Sequence, residues 1–209
     1  MERLLVLRLR SVGLAAEAWL NGIPLARTPK SGGDITLPVH EFVIAGPNKL
    51  ELVIDPPPPV GAPPPAAPLI GDEGARADAS LPLPRVGNLA HETVSRQLVQ
   101  VAWAATEGDV YKRPVALEKE ADIPVRFPRW RWLDAPVIPD PESLRASAAA
   151  YLQDLAISLA RGDPEPMVVA ARLRFEELAA AYQRPGPDDL ARWRARVQLL
   201  HAQKAMRPP

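Results

Sequence analysis

Trp19-Leu20-Asn21-Gly22-Ile23-Pro24-Leu25 is the stretch on which the reading of the fold turns. Asn-Gly supplies the two positive φ angles that a type I′ turn demands, and apolar residues flank it on both sides, so the stretch predicts a β-hairpin. Toward the N-terminus, Leu5, Leu7 and Leu9 alternate with Val6, Arg8 and Arg10. Toward the C-terminus, Ile35, Leu37 and Val39 repeat the habit, and Leu50, Leu52 and Ile54 stand opposite Lys49, Glu51 and Val53. A period of two marks strands with one buried face. Leu98 to Ala104 and Ile123 to Phe127 read as further strands, with Trp130 to Leu133 extending the second beyond Pro128. About seven strands imply a sandwich or jelly roll.

Proline interrupts this pattern. Of the 26 prolines, eight fall in Asp55 to Pro68 (DPPPPVGAPPPAAP). Their fixed φ and missing N–H groups exclude helix and central strand, which leaves a polyproline II excursion acting as a stiff spacer. The polar stretch Gly71 to Ser80 continues it, so residues 55–80 are expected to form one long exposed loop.

From Asp140 onward the hydrophobic period becomes 3.6. Asp140 and Pro141 mark a helix start, and Gly162 marks its end. The stripe of this first helix is Leu144, Ala148, Tyr151, Leu152, Leu155 and Leu159. Asp163-Pro164 begins a second helix, whose face is Met167, Ala171, Phe175, Leu178 and Tyr182 and which Pro185-Gly186-Pro187 stops. Leu190, Trp193, Val197 and Leu200 mark a third, with Asp188 and Asp189 in its first turn. The expected class is α+β: a β-sandwich over residues 1–137 and a three-helix unit over 140–206 that docks on the sandwich or on another chain.

Two resemblances accompany these readings. Ala18-Trp19-Leu20-Asn21-Gly22, the Pro-bearing strand Leu37-Pro38-Val39, and Gly46-Pro47-Asn48-Lys49-Leu50-Glu51-Leu52 are similar to the galactose-binding-like jelly rolls attached to many glycoside hydrolases. The resemblance spans residues 3–54 and implies a jelly-roll fold and carbohydrate binding, but no sugar ligand carries over, because the turns themselves require Asn21 and Asn48. The Ala160-Arg161-Gly162-Asp163-Pro164 joint resembles the opening helices of cystatin-like and nuclear-transport-factor-like domains, without the curved sheet that follows in them.

Composition narrows the chemistry. Among 209 residues, 25 Lys and Arg balance 25 Asp and Glu, which provides no field to recruit nucleic acid or an anionic membrane. The absence of Cys excludes disulfides, thiolate nucleophiles and cysteine-ligated metals. No Gly-x-Ser-x-Gly elbow and no phosphate-binding glycine loop occurs. Neither cofactor nor metal is expected. The apolar N-terminal run is broken at Arg8 and Arg10, so it reads as a strand rather than an export signal, and the expected location is the cytoplasm.

The pairs His40-Glu41 and His91-Glu92 each join a possible base to a carboxylate, but neighbours on a strand point to opposite faces. His201 falls on the third helix among basic residues, with Arg192, Arg194 and Arg196 spread around a solvated face. The densest unusual segment is Val125-Arg126-Phe127-Pro128-Arg129-Trp130-Arg131-Trp132. Arg126, Arg129, Trp130, Arg131 and Trp132 are the candidate binding residues, since Trp and Arg anchor interfaces; if Trp130 and Trp132 instead face the core, they are structural. The expected function is non-catalytic binding of a protein partner, as an adaptor or inhibitor-like module. The alternatives are a carbohydrate-binding module and an enzyme built on a His-Glu pair.

Overall fold

The computed structural model describes residues 3–57, 69–70, 74–85, 95–106, 108, 110–124, 127–139 and 142–207. The chain divides into two compact units, Met1–Arg129 and Trp130–Pro209.

The first unit is a sandwich of two four-stranded antiparallel sheets. Its strands are β1 (Val6–Val12), β2 (Ala16–Leu20), β3 (Ile23–Arg27), β4 (Gly32–Pro38), β5 (Pro47–Ile54), β6 (Leu69–Ile70), β7 (Arg76–Leu83), β8 (Arg96–Ala104), β9 (Val110–Tyr111) and β10 (Val115–Asp122). One sheet runs in the order β4-β1-β7-β8 and the other β10-β5-β2-β3, while β6 and β9 form a two-stranded ribbon. The alternation behind this arrangement is the one visible in the sequence. Leu5, Leu7 and Leu9 from one sheet meet Leu20, Leu50, Leu52 and Ile54 from the other, all fully buried. The hairpin forms as the Asn-Gly pair predicts, with Asn21 at φ 53°, Gly22 at φ 79° and Leu20 opposite Ile23. Pro24 is accommodated because β3 is an edge strand, where a missing N–H interrupts no ladder.

Three expectations need correction. Gly71 to Ser80 is not all loop, since Arg76–Leu83 forms β7, a strand paired on both sides by β1 and β8. Its inward residues Ala77, Ala79 and Leu81 are buried, but alanine, Asp78 and Pro82 disguise the alternation. A register shift between Leu81 and Pro82 lets the proline into the ladder. The second correction concerns the last strand, which is Val115–Asp122 rather than Ile123 to Phe127. β10 lies at the sheet edge, and its charged outer face hides the period-two signal. Trp130 to Leu133 is no strand either, because Arg131–Asp134 is a 3₁₀ turn. In the Pro-rich run, Pro56 and Pro57 accept hydrogen bonds from the Arg27 guanidinium at 3.2 and 2.7 Å, and residues 58–68 lie outside the described residues.

The second unit contains α1 (Glu142–Ala160), α2 (Glu165–Ala170), α3 (Arg172–Ala181) and α4 (Gly186–Ala202). The expected second helix is thus two helices, broken at Ala171, whose φ of −97° and ψ of 13° leave the helical region. α1, α3 and α4 end alike, on a left-handed residue: Gly162, Gln183 and Lys204. In each, the next N–H reaches back to a carbonyl five residues earlier, Asp163 to Ser158, Arg184 to Ala179 and Ala205 to Leu200. Phe175 of α3 and Trp193 of α4 meet edge to face with centroids 5.7 Å apart. Arg194 forks onto Glu165 at 2.6 and 2.8 Å, which draws the Glu165 carboxyl below its ordinary range.

Candidate functional site

The Trp/Arg segment spans the point in the sequence where the first unit ends and the second begins. Arg129 is exposed at the end of the first. Trp130, which opens the second, is only 1% exposed. Its indole is therefore packed inside and is not the surface anchor the sequence suggested. Arg131 is exposed but committed: its backbone N–H donates to Glu177 at 2.6 Å and its guanidinium to Glu176 at 2.9 Å. These bonds tie the 3₁₀ turn to α3. Trp132 is half-buried on that turn. Because a 3₁₀ turn advances each side chain by about 120°, Trp130 and Trp132 do not share a face as they would on a strand. Arg126 lies outside the described residues.

The two described histidines, His40 and His201, both make hydrogen bonds within their own unit. His40 and Glu41 are 3% and 6% exposed in the turn His40–Phe42. The His40 Nε2 accepts the Leu5 N–H at 2.7 Å, and its ring lies 5.1 Å from that of Phe127. That nitrogen is spent on the segment preceding β1, and both residues are withdrawn from solvent. His91 and Glu92 lie outside the described residues. His201 sits at 3.0 Å from the Ala160 carbonyl, to which its Nδ1 donates, closing the end of α1 against α4. Arg192 pairs with Asp189 and Arg194 with Glu165, so the basic residues of α4 are partly neutralised within the unit.

Asn21 and Asn48 are similarly occupied. The Asn48 carboxamide, 1% exposed, accepts the Ile44 N–H at 2.9 Å and donates to the Ile44 and Gly46 carbonyls. Asn21 bridges β2 and β5, donating to Asn48 Oδ1 and Phe42 O at 2.8 Å each and accepting the Lys49 N–H at 2.9 Å. The Asn48 side chain is saturated and both Asn21 donors are used, which leaves Asn21 one open lone pair on Oδ1.

Two further surface features stand out, of which the sequence showed only the second. The first is a hollow of about 350 Å³ over β7 and β8, where Arg76, Asp78 and Gln100 rise beside Ala102 and Ala104. Burial pushes the Asp78 carboxyl up, against the opposing pull of the Arg10 charge and a hydrogen bond from Gln100. It escaped notice because β7 was not legible as a strand. The second is the face of α1. Every residue from 142 to 154 in that helix is exposed, and burial begins only at Leu155. Leu144, Tyr151 and Leu152 are 41%, 55% and 63% exposed. The stripe was correctly located by its 3.6 period, yet only its C-terminal part packs within the unit.

No group of His, Asp or Glu among the described residues is arranged to hold a metal ion, and no described helix is long and apolar enough to cross a membrane. Comparison with protein-family models, with curated proteins and with solved structures yields no match to this chain.

Proposed function

We propose that the protein is a non-catalytic, cytoplasmic protein-interaction module whose binding surface is the N-terminal two-thirds of α1. The observation that carries this reading is the exposed stripe Leu144, Tyr151 and Leu152. A helix of this length draws most of its stability from packing an apolar face, and here that face is left to solvent. Val137 and Ile138, 97% and 67% exposed, add apolar surface just ahead of the helix. Arg131 and Trp132 are the remaining candidates from the Trp/Arg segment in the same unit, an arginine and a half-buried indole of the kind that contribute interface contacts, and Arg129 is an exposed candidate of the first unit. A photo-crosslinking residue at position 152, expressed in the native cell beside the same probe at the exposed position Gln97 on β8, tests it. A protein captured from position 152 alone, and bound in purified form at least tenfold more weakly by Leu152→Asp, supports the reading. Equal capture at both positions, or binding indifferent to the substitution, defeats it.

A second reading, a galactose-binding-like carbohydrate module, is supported by strand order. The neighbour relations of β1–β5, β7, β8 and β10 are those of a jelly roll whose last two strands lead the chain. With Asn48 saturated and the Asn21 donors used, most of any sugar contact must come from other residues. A glycan array probed with the full chain tests this reading, and uniform absence of signal counts against it.

A further inference from the structure

Sheet β10-β5-β2-β3 turns Leu20, Leu50 and Leu52 inward and a different set outward. Trp19 stands on that outer face, directly across from Glu51, which in turn faces Glu118. Glu17, two residues before Trp19 on the same strand, faces Arg27. The Trp19 side chain is half-buried, and its only polar atom, Nε1, is fully buried without a hydrogen-bond partner among the described residues. The indole surface that remains open is therefore ring carbon.

The charge around this ring is one-sided. Glu17, Glu51, Glu118, Glu120 and Asp122 face outward, against Arg27 and Lys49. Such a face stands out on a chain whose 25 basic and 25 acidic residues cancel. The two cations offset only part of this charge. Arg27 is turned to the carbonyls of Pro56 and Pro57, and Lys49 bridges Glu51 and Glu118 at 3.3 and 3.1 Å. Among the described residues, the carboxylates of Glu17 and Glu120 have no ion pair or hydrogen bond. An aromatic face beside carboxylates attracts a cation twice over, through the ring quadrupole and through charge. Arginine suits it best, since its planar, weakly hydrated guanidinium stacks on an indole while its edge donates to a carboxylate.

We propose that this sheet face docks a basic segment of a partner protein, laying an arginine side chain over the Trp19 ring between Glu17 and Glu51. The surface is built from other residues than those of α1, so either proposal can fail without the other. The test uses the full chain and a synthetic peptide alternating arginine with glycine, with its citrulline counterpart as a neutral isostere, in titration calorimetry at low and at physiological ionic strength. The arginine peptide is expected to bind, the citrulline peptide at least about tenfold more weakly, and salt to weaken the difference. Trp19→Ala and the double change Glu17→Gln with Glu51→Gln should each cost about tenfold, and Asp188→Asn on α4 nothing. Trp19→Phe, which keeps a ring, should stay within about threefold and carries the test if Trp19→Ala unfolds the sandwich. No binding at low ionic strength overturns the proposal, as does binding untouched by the carboxylate pair. Loss with Trp19→Ala alone, insensitive to salt and to citrulline, also overturns it, because that is the mark of a neutral stacking ligand such as a sugar.

Discussion

His201 lies against Gly162, so closely that a Cβ on the glycine would fall 2.8 Å from the imidazole Cγ and Cδ2. The same histidine holds the Ala160 carbonyl at 3.0 Å, so one ring both closes the end of α1 and seats it on α4. Glycine is required here on two counts, because its φ is also +81°.

Gly162→Ala should therefore destabilise the helical unit by about 2 kcal/mol, the combined cost of a left-handed alanine and the displaced ring. Adding His201→Ala should not restore stability, because the backbone strain and the lost carbonyl contact remain. Denaturant unfolding of both variants checks this, and full recovery in the double variant would show that the steric clash alone matters.

Asn48 makes four hydrogen bonds from a buried side chain, three to the turn ahead of β5 and one from Asn21. Asn48→Ala should cost about 3 kcal/mol, since it strands the Ile44 N–H and two carbonyls. Asn48→Asp should be similarly damaging, because a carboxylate cannot donate to the Ile44 and Gly46 carbonyls. Urea titration followed by far-UV circular dichroism measures both, and a loss under about 0.5 kcal/mol for either would mean that water replaces the side chain.

Trp130 is buried, so Trp130→Ala should cost about 3 to 5 kcal/mol of folding stability through the cavity it leaves. Trp132→Ala, at a half-buried position, should cost less. Thermal melts of the two variants side by side decide the order, and equal losses would contradict the difference in burial.

Asp78 gives a pH signature. Burial raises its carboxyl above the ordinary range, so the folded protein binds that proton more tightly than the unfolded chain does. Its contribution to stability is complete below the unfolded pKa and is lost as pH rises through the folded one. Asp78→Asn removes this dependence. The variant should melt above the wild type near neutral pH, and the gap should close below about pH 4. A gap that widens on acidification would reverse the sign and indicate that the Arg10 charge outweighs burial.

What the sequence alone determined were the elements whose pattern is local. The hairpin at Asn21-Gly22, the leucine-bearing strands β1 and β5, and the helix ends at Gly162 and Pro185 were legible because each is written in turn chemistry or in a period of two or 3.6. β7 and β10 were not, since alanine, proline and charge obscure their alternation, and it is pairing with β1, β8 and β5 that makes them strands. The same division applies to the candidate surfaces. Leu144, Tyr151 and Leu152 announce an apolar stripe, but periodicity says only that a face exists, and tertiary packing decided that Leu155 is covered while they are not. Trp130 and Trp132 are chemically identical in the sequence, and only the 3₁₀ turn tied to Glu176 and Glu177 makes one a core residue and leaves the other half in solvent. Burial depends on which distant segment arrives to exclude water, and that is a property of the folded chain rather than of any local stretch of it.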